Sequence, residues 1–176
     1  MKCNILFVIL QIAMKDTTVL DSLVGNASHI SIVVHTHPDG DAIGSGTAML
    51  CYLTQSRGKD AALIVPDSIP DSISFITRGT ADGSILVFDE EKERASAWIN
   101  ASDLIICLDC NSFSRTSGME DALRKSKAPK VLIDHHLNPD IEAFGLVFSE
   151  TEVSSASELL FWILLDMPDI GGKASS

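Results

Sequence analysis

Positive charge is scarce in this chain. Thirteen Lys and Arg stand against 24 Asp and Glu in 176 residues, a formal net charge of −11. A groove for long duplex nucleic acid needs a basic stripe to displace counterions, so that class of partner is excluded. A short phosphorylated substrate stays allowed, provided metal ions supply positive charge locally. Cysteine is sparse too. Cys3, Cys51, Cys107 and Cys110 make no disulfide framework, which points to a reducing cytoplasm. Cys107-Leu-Asp-Cys110 has CxxC spacing, yet no second ligand pair completes a zinc site, and a redox motif would open a helix after a short strand. The preferred reading is a pair of small residues at a strand end. The apolar run Ile5 to Leu10 is too short to span a bilayer, so no membrane partner is expected. Repeats and low-complexity tracts are also missing.

What remains is 45% apolar and 21% charged, the balance of one globular domain with a real core. Residues 1–14 are read as an extension, non-native or misassigned, because Met14-Lys15 offers a second start. A signal peptide is the alternative, against which stand a weak n-region and no A-x-A site. The domain proper is expected over residues 15–170.

Short β-branched or apolar runs alternate with helical patterns. Strands are expected at Ile30–Val34, Ala61–Val65, Ser84–Phe88, Leu104–Leu108, Lys130–Ile133 and, near an edge, Phe144–Phe148. Helices are expected at Asp41–Arg57 with a stop at Gly58, Glu90–Asn100, Met119–Lys127 and Ser154–Leu165, with a helical turn over Pro70–Ile76. The strand runs are continuously apolar, as in strands covered on both faces. The fold class is therefore α/β, a mostly parallel sheet with helices on both faces.

In such sheets ligands bind beyond the carboxyl ends of the strands. The first strand is followed by His35, Asp39 and Asp41, the fourth by Asp109, and the fifth by Asp134, His135 and His136. Three strands thus deliver carboxylates and imidazoles to one edge. Imidazole with several carboxylates suits manganese, with magnesium or cobalt as substitutes. A carboxylate on a central strand can bridge two ions about 3.5–4 Å apart, the spacing for in-line attack on phosphorus.

His35-x-x-x-Asp39-x-Asp41 followed by Ala-Ile-Gly-Ser resembles the first motif of DHH phosphoesterases, Leu108-Asp109 the second, and Val131-Leu-Ile-Asp134-His135-His136 the motif that names the family. Order and spacing agree over residues 29–165. Within the family the chain looks like the branch of nano-RNases and 3′-phosphoadenosine 5′-phosphate phosphatases; RecJ-like exonucleases, exopolyphosphatases and manganese pyrophosphatases are cousins. The resemblance implies a two-metal phosphoesterase acting on a small phosphorylated substrate or short oligonucleotide. His35 and Asp39 would hold the first Mn2+, Asp41 and His135 the second, and Asp109 would bridge them. His136 would face the substrate phosphate, with Asp109 and His136 the residues at the reacting centre. Asp134 would orient its histidine neighbours, and His37 would support the site or face the phosphate without ligating. Arg115 is a candidate phosphate contact, as is Arg78. His29 is read as structural or exposed, and Trp98 and Trp162 as core.

Other readings of these residues fit less well. His35-x-His37-x-Asp39 resembles a metallo-β-lactamase zinc motif, but Gly40 stands where that motif wants histidine. Gly40-Asp-Ala-Ile-Gly44-Ser-Gly46 is not the G-x-G-x-x-G of a dinucleotide loop. Members of the family carry a fourth motif, with an aspartate for the second ion, and a small C-terminal substrate-binding domain; neither is found in these residues. The expectation is a catalytic lobe, weakly active alone, whose apolar lobe interface favours association, with a homodimer among the outcomes. A non-catalytic metal- or nucleotide-binding remnant is the competing function.

Overall fold

The computed structural model describes residues 17–168. The expectations for residues 1–14 and for the tail past Pro168 lie outside them. The six strands are β1 (His29–Val33), β2 (Asp60–Val65), β3 (Ile85–Val87), β4 (Leu104–Leu108), β5 (Lys130–Asp134) and β6 (Leu146–Ser149). They form one sheet in the order β3-β2-β1-β4-β5-β6, and all five pairings are parallel. Each sits within about two residues of the run that predicted it.

The helices are α1 (residues 17–26), α2 (Gly40–Cys51), α3 (Lys92–Ala101), α4 (Glu120–Lys125) and α5 (Ala156–Asp166). Successive strand residues point to opposite faces, so the sheet divides its apolar side chains between two cores. Ile30, Ile32, Leu63, Leu104, Ile106, Val131 and Ile133 pack with α1, α2 and α5. Val33, Ala62, Ile64, Ile105, Cys107 and Leu132 pack with α3, α4 and the turn before α4. Both faces are covered, which is why the strands read as unbroken apolar runs.

Three helices differ from expectation. The single helix over Asp41–Arg57 is α2 followed by a π-turn over Tyr52–Ser56, in which the Arg57 N–H donates to the Tyr52 carbonyl. Arg57 reaches Asp21 at 2.7 Å and the Tyr52 hydroxyl at 2.8 Å, tying the widened end to α1. Gly58, at φ +62°, ends it as expected. The helix expected over Met119–Lys127 is only α4, preceded by a 3-10 segment Phe113–Met119 and ended by extended backbone at Ser126. The helix expected from Glu90 begins at Lys92, with Arg94 paired to Glu91 at 2.6 Å.

The strand order decides where a ligand can sit. From β1 the chain steps outward to β2 and β3, then returns to the other side of β1 with β4, β5 and β6. The reversal falls between β1 and β4, and the crevice at their carboxyl ends is the binding position of open α/β sheets. Small residues let α2 approach the sheet beneath that crevice. A Cβ on Gly46 would lie 2.8 Å from the buried Leu63 Cδ1. We expect Gly46→Val to lower stability by about 1–3 kcal/mol through overpacking, read as a lower urea midpoint with unchanged m-value.

Candidate metal centre

The loop between β1 and α2 carries the first group of side chains. His35 is buried, and its Nδ1 donates to the Thr36 carbonyl at 2.7 Å. That bond assigns the proton to Nδ1 and leaves Nε2, which lies 3.3 Å from Asp109 Oδ2. Asp39 is the N-cap of α2: its Oδ1 accepts from the Asp41 and Ala42 amides at 2.9 and 3.1 Å. One carboxylate oxygen satisfies the helix end, and the other is left for a cation.

Asp109 follows β4 and is 1% exposed. Its backbone has φ +53°, a left-handed geometry that Asp tolerates better than most residues and that recurs at functional sites. Its Oδ1 lies 3.5 Å from His135 Nε2 and 3.4 Å from His136 Nδ1. Among the described residues, that buried oxygen accepts no hydrogen bond. Two groups of donor atoms, each within 4.8 Å of one another, meet at this carboxylate: His35, Asp39 and Asp109, and Asp109, His135 and His136. Imidazole nitrogens and carboxylate oxygens around an unsatisfied buried oxygen fit a divalent cation.

Asp134 ends β5 fully buried. Its carboxylate holds His136 twice, accepting the backbone N–H at 3.0 Å and the ring Nδ1–H at 2.8 Å. The second bond fixes the ring and leaves Nε2 as the nitrogen with a lone pair. Asp41, in the first turn of α2, lies 3.6 Å from His135 Nε2 but belongs to neither group. Its oxygens accept from the Ala156 and Ser157 amides of α5 at 2.7 and 2.8 Å.

The other sequence candidates sit around this centre. The His37 ring is 93% exposed and stands 3.9 Å from Asp67. Arg115 lies in the 3-10 segment after β4; its carbonyl accepts from the Thr36 amide at 2.8 Å, and its charge reaches His35. Arg78 is exposed beyond the Ser74–Thr77 turn. His29 pairs with Asp60 at 2.8 Å and stacks on Trp98, 4.0 Å between centroids. Cys107 and Cys110 are buried. Desolvation pushes both thiols up, Cys110 to about 12, so neither is a ready thiolate.

The family model described as the DHH family N-terminal domain matches residues 29–173. The chain belongs to the DHH family. It is 28% identical over 163 residues to the cyclic-di-AMP phosphodiesterase GdpP of Geobacillus thermodenitrificans, across 85% of this chain and 23% of that protein. The Bacillus subtilis protein of the same name is 28% identical over 158 residues, with the same shares covered. The crystal structure of an exopolyphosphatase-related protein from Bacteroides fragilis superposes with a TM-score of 0.77 at 36% identity, covering 88% of this chain and 45% of that one. RecJ from Thermus thermophilus, solved with Mn2+, shares the fold at a TM-score of 0.52 and 18% identity, over 91% of this chain and 21% of RecJ. This DHH domain thus spans less than half the length of each of these relatives. Among its described residues, no helix is long and apolar enough to cross a membrane.

Asp67 was missed by sequence reasoning. It follows β2 at the same carboxyl edge, and both its oxygens accept the His37 N–H, at 2.9 and 3.0 Å. His37 has φ +52°, so the bond holds a left-handed backbone that is uncommon for any residue but glycine. The signal was positional: a carboxylate just past a strand end, in Val65-Pro-Asp67. Asp67→Ala is expected to cost about 1 kcal/mol and to accelerate amide hydrogen exchange at His37, with Asp67→Asn retaining most of the protection. An unchanged exchange rate in the alanine variant counts against this role.

The His35 pair also makes stability depend on pH. Burial pulls the imidazole down, but the Asp109 bond, the Thr36 carbonyl and the Asp109 charge outweigh it and hold His35 above the ordinary value of 6.5. A raised folded value means that the stabilisation is fully present below about 6.5 and is lost as pH rises through the folded value. In protein without added metal, the stability difference between the wild type and His35→Gln is therefore expected to shrink as pH rises past 6.5. Urea unfolding across pH 5–9 measures it, and a difference that grows with pH would contradict the pairing.

Proposed function

We propose that this domain is the metal-binding half of a phosphoesterase that uses two divalent ions, manganese first, to hydrolyse short oligoribonucleotides or 3′-phosphoadenosine 5′-phosphate. The observation that carries this reading is the buried Asp109 carboxylate, whose Oδ1 has no donor and faces two imidazoles. His35, Asp39 and Asp109 are assigned to the first ion. Asp41, Asp109 and His135 are assigned to the second. When bound, the ions supply Lewis acidity to the phosphoryl oxygens and acidify water at neutral pH.

The side chains have separable tasks. His136, with its Nδ1 proton committed to Asp134, is assigned to the substrate phosphate through Nε2. There it donates to a phosphoryl oxygen when protonated, and Asp134 compensates the charge. Arg115, half-buried beside the loop, is assigned to a second phosphate oxygen. Asp39 caps α2 with one carboxylate oxygen and would hold an ion with the other. Its carboxylate feels burial, which raises it, but the Ala42 and Asp41 amides and the nearby histidines dominate and hold it below the ordinary range, ionised as a ligand must be.

The relatives widen the substrate class, since one name specifies exopolyphosphatase-related and others a cyclic-di-AMP phosphodiesterase. The test is release of phosphate or mononucleotide from 3′-phosphoadenosine 5′-phosphate, short oligoribonucleotides, polyphosphate and cyclic di-AMP, with and without Mn2+. Manganese-dependent turnover of a nucleotide substrate is expected. Asp109→Ala should abolish it, and His136→Ala should reduce it at least about 100-fold while retaining Mn2+. Equal turnover in Asp109→Ala overturns the assigned centre. Metal binding by calorimetry with no hydrolysis of any substrate supports the non-catalytic reading.

A further inference from the structure

Asp41 is a largely buried carboxylate held by backbone donors from a distant element. The Ala156 N–H donates to Oδ2 at 2.7 Å and the Ser157 N–H to Oδ1 at 2.8 Å, one amide to each oxygen across 115 and 116 residues. The Ser157 hydroxyl also reaches the Asp41 carbonyl, at 3.3 Å. Ala156 and Ser157 are the first two residues of α5, where backbone amides have no partner within the helix. Ser155 Oγ takes the next amide, that of Glu158, at 3.0 Å. The Glu158 carboxylate turns back to the Ser154 N–H and hydroxyl at 2.8 and 2.6 Å. The helix thus has its own side-chain cap, and the two remaining amides are directed at Asp41.

Two donors in this arrangement fix both the position and the plane of a carboxylate. Each oxygen keeps a second lone pair. Oδ2 lies 3.6 Å from His135 Nε2. The unspent side of the carboxylate therefore faces the histidine assigned with it to the second ion.

We propose that the Ala156 and Ser157 backbone amides are positioning groups for the second metal site, aiming Asp41 at the ion. The inference rests on Asp41 being a ligand, as assigned above. It would make α5 part of the metal centre through its backbone, with no α5 side chain among the assigned ligands.

Backbone groups can be removed here without losing the helix. Ala156 is the first helical residue, where proline is well accommodated because its missing N–H has no helical partner. Ser155 before it has φ −163° and ψ 159°, the extended geometry that a residue preceding proline favours. Ala156→Pro therefore removes the donor to Asp41 Oδ2 and places the ring Cδ against that oxygen, displacing the carboxylate, at a position that is fully buried. Ser157→Pro, still in the first turn, deletes the other and serves if the first variant fails to fold.

The experiment is titration of the metal-free chain with Mn2+, followed by calorimetry and by the free-ion paramagnetic resonance signal, with helix content checked by circular dichroism. The expected result is a second Mn2+ site weakened about 10–100-fold in Ala156→Pro, the usual loss when a ligand's supporting bond is removed. The first site should be unchanged, and Ala156→Gly, which keeps the amide, should bind like the wild type. Folded Ala156→Pro that binds both ions as the wild type does overturns the proposal. Asp41→Asn separates the two levels. If it retains the second ion, Asp41 is not a ligand and the underlying assignment fails. If it loses the second ion while Ala156→Pro keeps it, only the role of α5 fails.

Discussion

Burying a carboxylate costs several kcal/mol unless cations or donors offset it. Asp109 is buried at the end of β4 with one oxygen that no donor reaches among the described residues. Its surroundings are arranged around that cost. His35 approaches one oxygen at 3.3 Å, and His135 and His136 approach the other at 3.5 and 3.4 Å. These separations are long for strong hydrogen bonds. His35 Nε2 and His135 Nε2 are placed against the carboxylate as ligands of cations would be, while the His136 Nδ1–H is committed to Asp134. Burial pulls His35 down, but its bonds to Asp109 and the Thr36 carbonyl and the Asp109 charge hold it above its ordinary value. A cation at this point would bind and stabilise the fold together.

That cost also explains the topology at the site. A single strand end cannot deliver this many ligands in a tight space. The reversal of strand order between β1 and β4 opens a crevice where neighbouring loops diverge, and β1, β4 and β5 each open into it. The loops are then stiffened individually. Thr36 is tied to Arg115, His37 to Asp67, and Asp140 to Asn111 through hydrogen bonds from their backbone amides, 2.8–3.0 Å long. Among the described residues, three of the four non-glycine residues with positive φ, His37, Asp109 and Asn138, lie in these strand-end loops. Strained backbone persists where such bonds over-determine it.

Much of this was readable from the sequence because it resides in side chains. The apolar strand runs located all six strands, since doubly covered strands admit few polar residues. Asp109 and Asp134-His135-His136 stood out as polar residues directly after such runs. What was not readable resides in the backbone or in local geometry. The amides of Ala156 and Ser157 carry no mark in the sequence, so the α5 contact to Asp41 was invisible. The π-turn at Tyr52–Ser56 has the same apolar periodicity as a continuing helix, and the long-range tie from Arg57 to Asp21 that accompanies it joins residues 36 positions apart. Asp67 was visible as a residue but not as a partner, because its role is to accept from the backbone of a loop 30 positions away.

The net charge of −11 then acquires a functional meaning. An acidic surface repels polyanions, and the Debye length of about 8 Å at physiological ionic strength confines that repulsion to the near surface. A loaded metal centre would be a local positive point within it. Arg115 adds to that point and competes with it, since its charge also disfavours protonated His35 and so favours the neutral, ligating imidazole. A long polyanion meets repulsion along its whole length for one attractive contact. A terminal phosphate on a short substrate meets the contact with little of the repulsion. On the function proposed above, charge alone would favour substrate ends and small molecules over long polyanions.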